Sequence, residues 1–178
     1  MSFFREYFDD IGAKIKDVDH AALERLCDLF SKLRARGRKA IFVGNGGSAA
    51  IASHVAVDLT KVAGVRGISF NEADLLTCFA NDYGYERWVE MALAFYADPG
   101  DVVVLISSSG RSQNIVNGAK SAGAYGLNVV TFSGFDRDNP LRSLGELNFW
   151  VDSHVYNVVE MTHHIWLLAA VDQLAVMR

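Results

Sequence analysis

Four short apolar-rich runs constrain the fold more than anything else in this chain. They are residues 40–43 (Ala-Ile-Phe-Val), 102–106 (Val-Val-Val-Leu-Ile), 128–132 and 147–151. Each is too short for a buried helix and is rich in β-branched or aromatic residues, so each reads as a strand covered on both faces. A weaker strand signal lies at 67–70. Between them run segments of helical period, over about 48–61, 113–124 and 156–177. Strands alternating with helices predict an α/β fold, a parallel sheet with helices on both faces. The first 36 residues read instead as a helical pair. Phe3, Phe4, Tyr7, Phe8 and Ile11 recur at helical spacing. Asp19 can cap a second helix whose stripe is Leu23, Leu26, Leu29, Phe30 and Leu33, and Gly37 ends it.

No repeat, linker or low-complexity stretch interrupts the 178 residues, so a single domain over 1–178 is expected, with 1–36 as the helical pair and 37–178 as the α/β core. The formal net charge is -4 and no basic run occurs, which argues against nucleic-acid binding by charge neutralisation. No apolar stretch approaches membrane-spanning length. Residues 1–10 carry Arg5, Glu6, Asp9 and Asp10 and do not read as a leader. Cys27 and Cys78 have no metal-type spacing and are expected to be buried, reduced thiols of a cytoplasmic protein.

Two of the strands end in unusual loops. Ser107-Ser108-Ser109-Gly110-Arg111-Ser112 runs directly into a helix. One serine suffices to cap a helix; four hydroxyls beside free N–H groups suit a phosphate. The loop is not a nucleotide P-loop, because no Gly-Lys-Ser/Thr follows. Gly44-Asn45-Gly46-Gly47-Ser48 allows close approach of backbone to a ligand, with Asn45 placed to bond hydroxyls and Ser48 placed to cap the next helix. It lacks the third glycine of the dinucleotide fingerprint. Ligands of open α/β sheets sit outside the carboxyl ends of strands, where both loops fall.

Two acid–His pairs carry the remaining chemistry. His54 and Asp58 share a helix face at i, i+4, and so do Glu160 and His164. Such pairs can ligate a metal or transfer protons, although a lone pair is more often a surface hydrogen bond. Asn81-Asp82-Tyr83-Gly84 reads first as a helix-breaking turn, with Asp82 as a cap.

Residues 44–50, followed by His54, then Asn81-Asp82-Tyr83-Gly84-Tyr85-Glu86, then Ser107–Ser112, resemble the SIS (sugar isomerase) domain family, and within it the phosphoheptose isomerases. The resemblance runs nearly end to end. It implies one SIS domain with a five-stranded parallel sheet, and an aldose–ketose isomerase converting sedoheptulose 7-phosphate to a manno-heptose 7-phosphate. It also implies a homotetramer with sites between subunits, the helical pair serving as interface. Ser107, Ser108, Ser109 and Ser112 would take the phosphate. Asn45, Gly46, Gly47, Ser48 and Asp82 would line the sugar. Zinc or another divalent ion would be held by His54, Asp58 and Glu160, with Asp58 as catalytic base.

The chain departs from that pattern in ways that bear on catalysis. Asp58 is one methylene shorter than the family's glutamate, and Leu168 stands at the position of the family's second catalytic histidine. Positions 160, 164 and 168 lie on nearly one helix face, so His164 is expected to replace that histidine, with His163 a bystander. Arg111 stands where a small polar residue is common. The alternative is a non-catalytic, phosphosugar-binding SIS protein with a regulatory role, of the kind that binds a replication initiator.

Overall fold

The computed structural model describes residues 2–177; Met1 and Arg178, which the expected domain bounds include, lie outside the described residues. Helices α1 (Phe3–Lys16) and α2 (His20–Arg36) lead into β1 (Lys39–Gly44), α3 (Gly47–Lys61), β2 (Arg66–Ser69), α4 (Ala73–Tyr83) and α5 (Trp88–Tyr96). Then follow β3 (Val102–Ser107), α6 (Gln113–Ala122), β4 (Asn128–Ser133), β5 (Leu147–Trp150) and α7 (Tyr156–Val176). The five strands are all parallel in the order β2-β1-β3-β4-β5. β1 has a neighbour on each side, and its partner β3 begins the march in the opposite direction. The β1/β3 boundary is therefore the switch point where such sheets open a crevice.

Alternation along the strands divides the core into two layers. Ala40, Phe42, Val102, Val104 and Phe132 face α2, α3 and α7, in a layer that includes Phe30, Leu59 and Leu167. Ile41, Val43, Val103 and Leu105 face the opposite side, against Trp88, Leu93 and Ile115 of α5 and α6. Each fully buried aliphatic or aromatic side chain of this kind contributes about 1.5–3 kcal/mol. At the amino edge of the sheet, Lys39 reaches Asp98 and the fully buried Asp101, each at 2.6 Å. That ion-paired corner lies at the far end of the strands from both unusual loops and ties the sheet to its connections.

Two local expectations differ from the structure, and the helix break expected at residues 81–84 is present. The helix after β3 ends at Ala122 and continues as one 3₁₀ turn, Gly123–Tyr125, because Gly126 closes it in the left-handed region at φ 69°. Residues 73–96 form two helices, α4 and α5, with Gly84 at the break. Cys27 is buried as expected, but Cys78 is exposed on α4, a helix with no buried residue. Among the described residues, no helix is long and apolar enough to cross a membrane.

Candidate active site

The carboxyl ends of β1 and β3 lie side by side, with Gly44 paired to Ile106. Their two loops close a cavity of about 110 Å³ lined by Asn45, Ser48, Ser107, Ser108, Ser109, Ser112, Tyr156 and Glu160, with Ile106 beneath. That is room for on the order of four waters, enough for a small anionic head with the rest of a ligand lying outside. Three helices begin on this cavity: α3 at Gly47, α6 at Gln113 and α7 at Tyr156. Their N-termini carry unsatisfied N–H groups and the positive ends of three helix dipoles, a field suited to a phosphate without any lysine. Ser112 occupies the N-cap of α6 without a side-chain cap bond, and α3 is capped by Gly46 rather than by Ser48. The serine hydroxyls are thus not spent on capping. Ser107 donates to Ser112 Oγ at 3.1 Å, and Arg111 N–H donates to Ser109 Oγ at 3.2 Å. A larger groove of about 540 Å³ lies between α2 and α7, but its lining carries Glu24 and Asp28 and no helix N-terminus faces it except that of α2 at His20.

The serine loop is held from behind. Gly110 sits at φ +64°, and a side chain there would overlap the buried Asn139. Asn139 in turn donates to the Ser133 hydroxyl and to the Gly134 and Asp136 carbonyls, and accepts from Arg142 N–H. The opposite wall is set by an amide pair. Asn45 and Asn114 exchange reciprocal hydrogen bonds at 3.0 Å, and the Tyr85 hydroxyl donates to Asn45 Oδ1 at 3.0 Å. Asn114, Tyr85 and Tyr156 carry no sequence assignment. The hints in the sequence are that Tyr85 falls within the Asn81–Glu86 motif, that Asn114 follows the serine loop by two residues and that Tyr156 opens the last helix.

Glu160 is the one carboxylate in the cavity. Ser108 Oγ donates to its Oε1 at 3.3 Å, and the carboxylate fills the space a side chain on Gly47 would need. Asp82 does not line the cavity. It lies exposed in the last turn of α4, where it accepts from Asn81 at 2.9 Å.

A second cluster stands where α3 and α7 pack together. His54 Nε2 is 3.1 Å from Asp58 Oδ2, and His54 Nδ1 is 2.9 Å from His164 Nε2. The two imidazoles meet edge-on, with centroids 4.9 Å apart and planes at 86°. Partial burial holds the His164 imidazole below its ordinary pKa, as does the charge of His54, while Asp58 opposes the shift. His163, one residue earlier, is fully buried, with Nε2 donating to the Ser133 carbonyl at 2.9 Å. Burial pushes its pKa down to about 4, so it is a neutral core residue, the bystander expected.

The ligand set His54, Asp58 and Glu160 does not fit a metal in this arrangement. Both ring nitrogens of His54 already face protein groups, and Glu160 faces Ser108 instead of His54. Among the described residues, no group of three or more His, Cys, Asp or Glu is placed to hold a metal ion.

A parallel α/β sheet whose switch-point loops and three helix N-termini line one cavity, with Asp58, His54 and His164 in contact further along two of those helices, defines an α/β fold with a cavity suited to an anionic group. The SIS domain family model matches residues 4–134, and the chain belongs to the SIS domain family, among its phosphoheptose isomerase-like members. It is 39% identical over 120 residues to a phosphoheptose isomerase of Tolumonas auensis, a match covering 65% of this chain and 62% of that protein. It is 34% identical to a probable phosphoheptose isomerase of Thermoplasma acidophilum, covering 78% of this chain and 79% of that one. The solved phosphoheptose isomerase GmhA of Neisseria gonorrhoeae superposes with a TM-score of 0.85 at 23% identity, over 96% of this chain and 94% of that one. It shares the fold.

Proposed function

We propose that this protein is a phosphosugar aldose–ketose isomerase acting on sedoheptulose 7-phosphate to give a manno-heptose 7-phosphate. The observation that carries the reading is the placement of two chemistries on the same pair of helices. α3 and α7 begin at the phosphate cavity with Ser48 and Tyr156, and further along they bring together His54, Asp58 and His164. On α7, His164 lies four residues beyond Glu160, a rise of about 6 Å. An extended sugar phosphate anchored at Ser107–Ser112 reaches from one to the other. The identities to phosphoheptose isomerases of two organisms support the same substrate.

The reaction requires proton movement only. A base removes a proton from C1 of the ketose as the carbonyl oxygen at C2 gains one, giving the enediol. The hydroxyl proton at O1 is then lost while C2 is protonated, giving the aldose. The chain supplies the His164 imidazole for these transfers, and the amides of Asn45 and Asn114 with the Tyr85 hydroxyl to orient sugar oxygens. No step is routed through a metal. Leu168 is the feature that speaks for the regulatory alternative, and the identity to phosphoheptose isomerases over most of the chain weighs against it.

We also read the assembly as a homotetramer. Phe3, Phe4 and Phe8 are 71%, 69% and 64% exposed on α1, an apolar face of a kind usually covered by a partner. The exposed free thiol of Cys78 suits a reducing, cytoplasmic setting. Incubation of the purified protein with sedoheptulose 7-phosphate, followed by NMR of the sugar, tests the activity. The aldose should appear, with pentose and hexose phosphates turned over at least tenfold less efficiently. Absence of any aldose would overturn the reading.

A further inference from the structure

We infer that Asp58, His54 and His164 form one hydrogen-bonded chain that fixes the tautomer of His164 and leaves His164 Nδ1 as the proton-accepting atom, with His54 and Asp58 as positioning residues. The use of that atom in catalysis rests on the isomerase reading above; the existence of the chain does not.

The order of donors follows from imidazole chemistry. An ionised carboxylate only accepts, so at 3.1 Å from Asp58 Oδ2 the His54 Nε2 is the donor. A neutral imidazole has one donor and one acceptor, so His54 Nδ1 then accepts. The atom facing it at 2.9 Å is His164 Nε2, which must donate. That leaves the lone pair of His164 on Nδ1. The reverse order would set two ring lone pairs against each other, or leave the carboxylate facing a bare nitrogen. Hydrogen bonds of this kind are what select a histidine tautomer.

The placement of Asp58 supports a positioning role. Its carboxylate is turned to His54 on its own helix, one turn away, and it does not line the phosphate cavity. His54 spends both ring nitrogens within the chain. Only His164 retains a ring nitrogen with no partner in the chain, and it lies on α7 one turn beyond the cavity residue Glu160. Three polar groups held in series across two helices thus converge on one usable atom.

Nitrogen-15 NMR of the imidazole rings at about pH 8, above the ordinary imidazole range of about 6.5, tests the chain directly. Both His54 and His164 should be protonated on Nε2. Asp58→Asn should change the tautomer ratio of His164, a residue Asp58 does not touch. A His164 ring protonated on Nδ1, or one indifferent to Asp58→Asn, overturns the chain. In turnover, His164→Gln should abolish both isomerisation and incorporation of solvent deuterium into the sugar. Asp58→Asn and His54→Gln should each lower kcat by a similar factor, on the order of 10²- to 10⁴-fold, with KM changed less than about twofold. The double variant should fall no lower than either single one. Additive losses, or deuterium exchange lost in Asp58→Asn but kept in His164→Gln, would make Asp58 the base and overturn the assignment. If the wild-type protein turns over no phosphosugar, the isomerase reading fails while the ring spectra still decide the chain.

Discussion

His54 Nδ1 stands 2.9 Å from His164 Nε2, joining a helix that follows β1 to the helix that closes the chain. On the proposed reading, this contact lets His164 stand in for the histidine absent at Leu168. Leu168 is partly buried against the core layer beside α2 and α3, and leucine cannot move a proton. His164, one turn earlier, reaches His54 instead. His164→Gln should therefore lower kcat by at least about 10²-fold. KM should stay within about threefold of wild type, because His164 does not line the phosphate cavity. Steady-state kinetics with sedoheptulose 7-phosphate checks this; unchanged turnover would remove His164 from the mechanism.

Glu160 places a carboxylate where a phosphate is expected to bind. It accepts from Ser108, and the N-termini of α3, α6 and α7 open on the same cavity. A phosphate held by Ser108 meets the carboxylate charge at close range, and repulsion between close charges costs on the order of 1 kcal/mol even in water. Glu160→Gln keeps an acceptor for Ser108 and removes the charge. Inorganic phosphate should inhibit the variant about tenfold more tightly, equal to about 1.4 kcal/mol. Weaker inhibition would mean that the carboxylate instead binds the sugar.

Much of this was legible before the structure. Short apolar runs such as 40–43 and 102–106 announce strands because burial on both faces leaves no alternation to confuse with a helix. The serine loop announces itself because capping needs so few hydroxyls. What could not be read are relations across the fold. Asn114 contacts Asn45 over 69 positions, and nothing local marks it as more than a polar helix residue. Glu160 shares a helix face with His164, which suggested a common metal with His54 and Asp58. Spacing fixes the face but not which neighbour each side chain meets, and packing sends Glu160 to Ser108 and His164 to His54. Asp82 carried a role only through its motif, and in the single chain it stays on the surface of α4.

Gly110 should tolerate no side chain. Alanine there meets two costs: a left-handed backbone at φ +64°, and overlap with Asn139. The first is roughly 1–2 kcal/mol. The second displaces a buried amide that organises the Gly134 and Asp136 carbonyls. Gly110→Ala should destabilise the protein by on the order of 2–4 kcal/mol in total, read as a lower Tm, and should raise KM for the phosphosugar. Gly47→Ala offers the contrast. Its clash is with the carboxylate end of Glu160, a flexible tip that can swing away. It should leave Tm nearly unchanged while altering phosphate inhibition. A large Tm loss in Gly47→Ala would show that Glu160 is rigidly held.

His163 makes part of the fold's stability depend on pH. Its Nε2 donates to Ser133 and its Nδ1 is buried without a partner. Burial lowers its pKa from 6.5 to about 4. The unfolded chain therefore takes up a proton below about pH 6.5 that the folded chain refuses until about pH 4. Stability is fully present above 6.5 and falls as the pH drops through that window. The loss reaches about 2 kcal/mol by pH 5 and on the order of 3 kcal/mol below pH 4. His163→Gln keeps a donor for the Ser133 carbonyl and cannot titrate. In urea unfolding, the difference in stability between pH 7 and pH 5 should shrink by about 2 kcal/mol in this variant. An equal pH dependence in both proteins would place the acid sensitivity elsewhere.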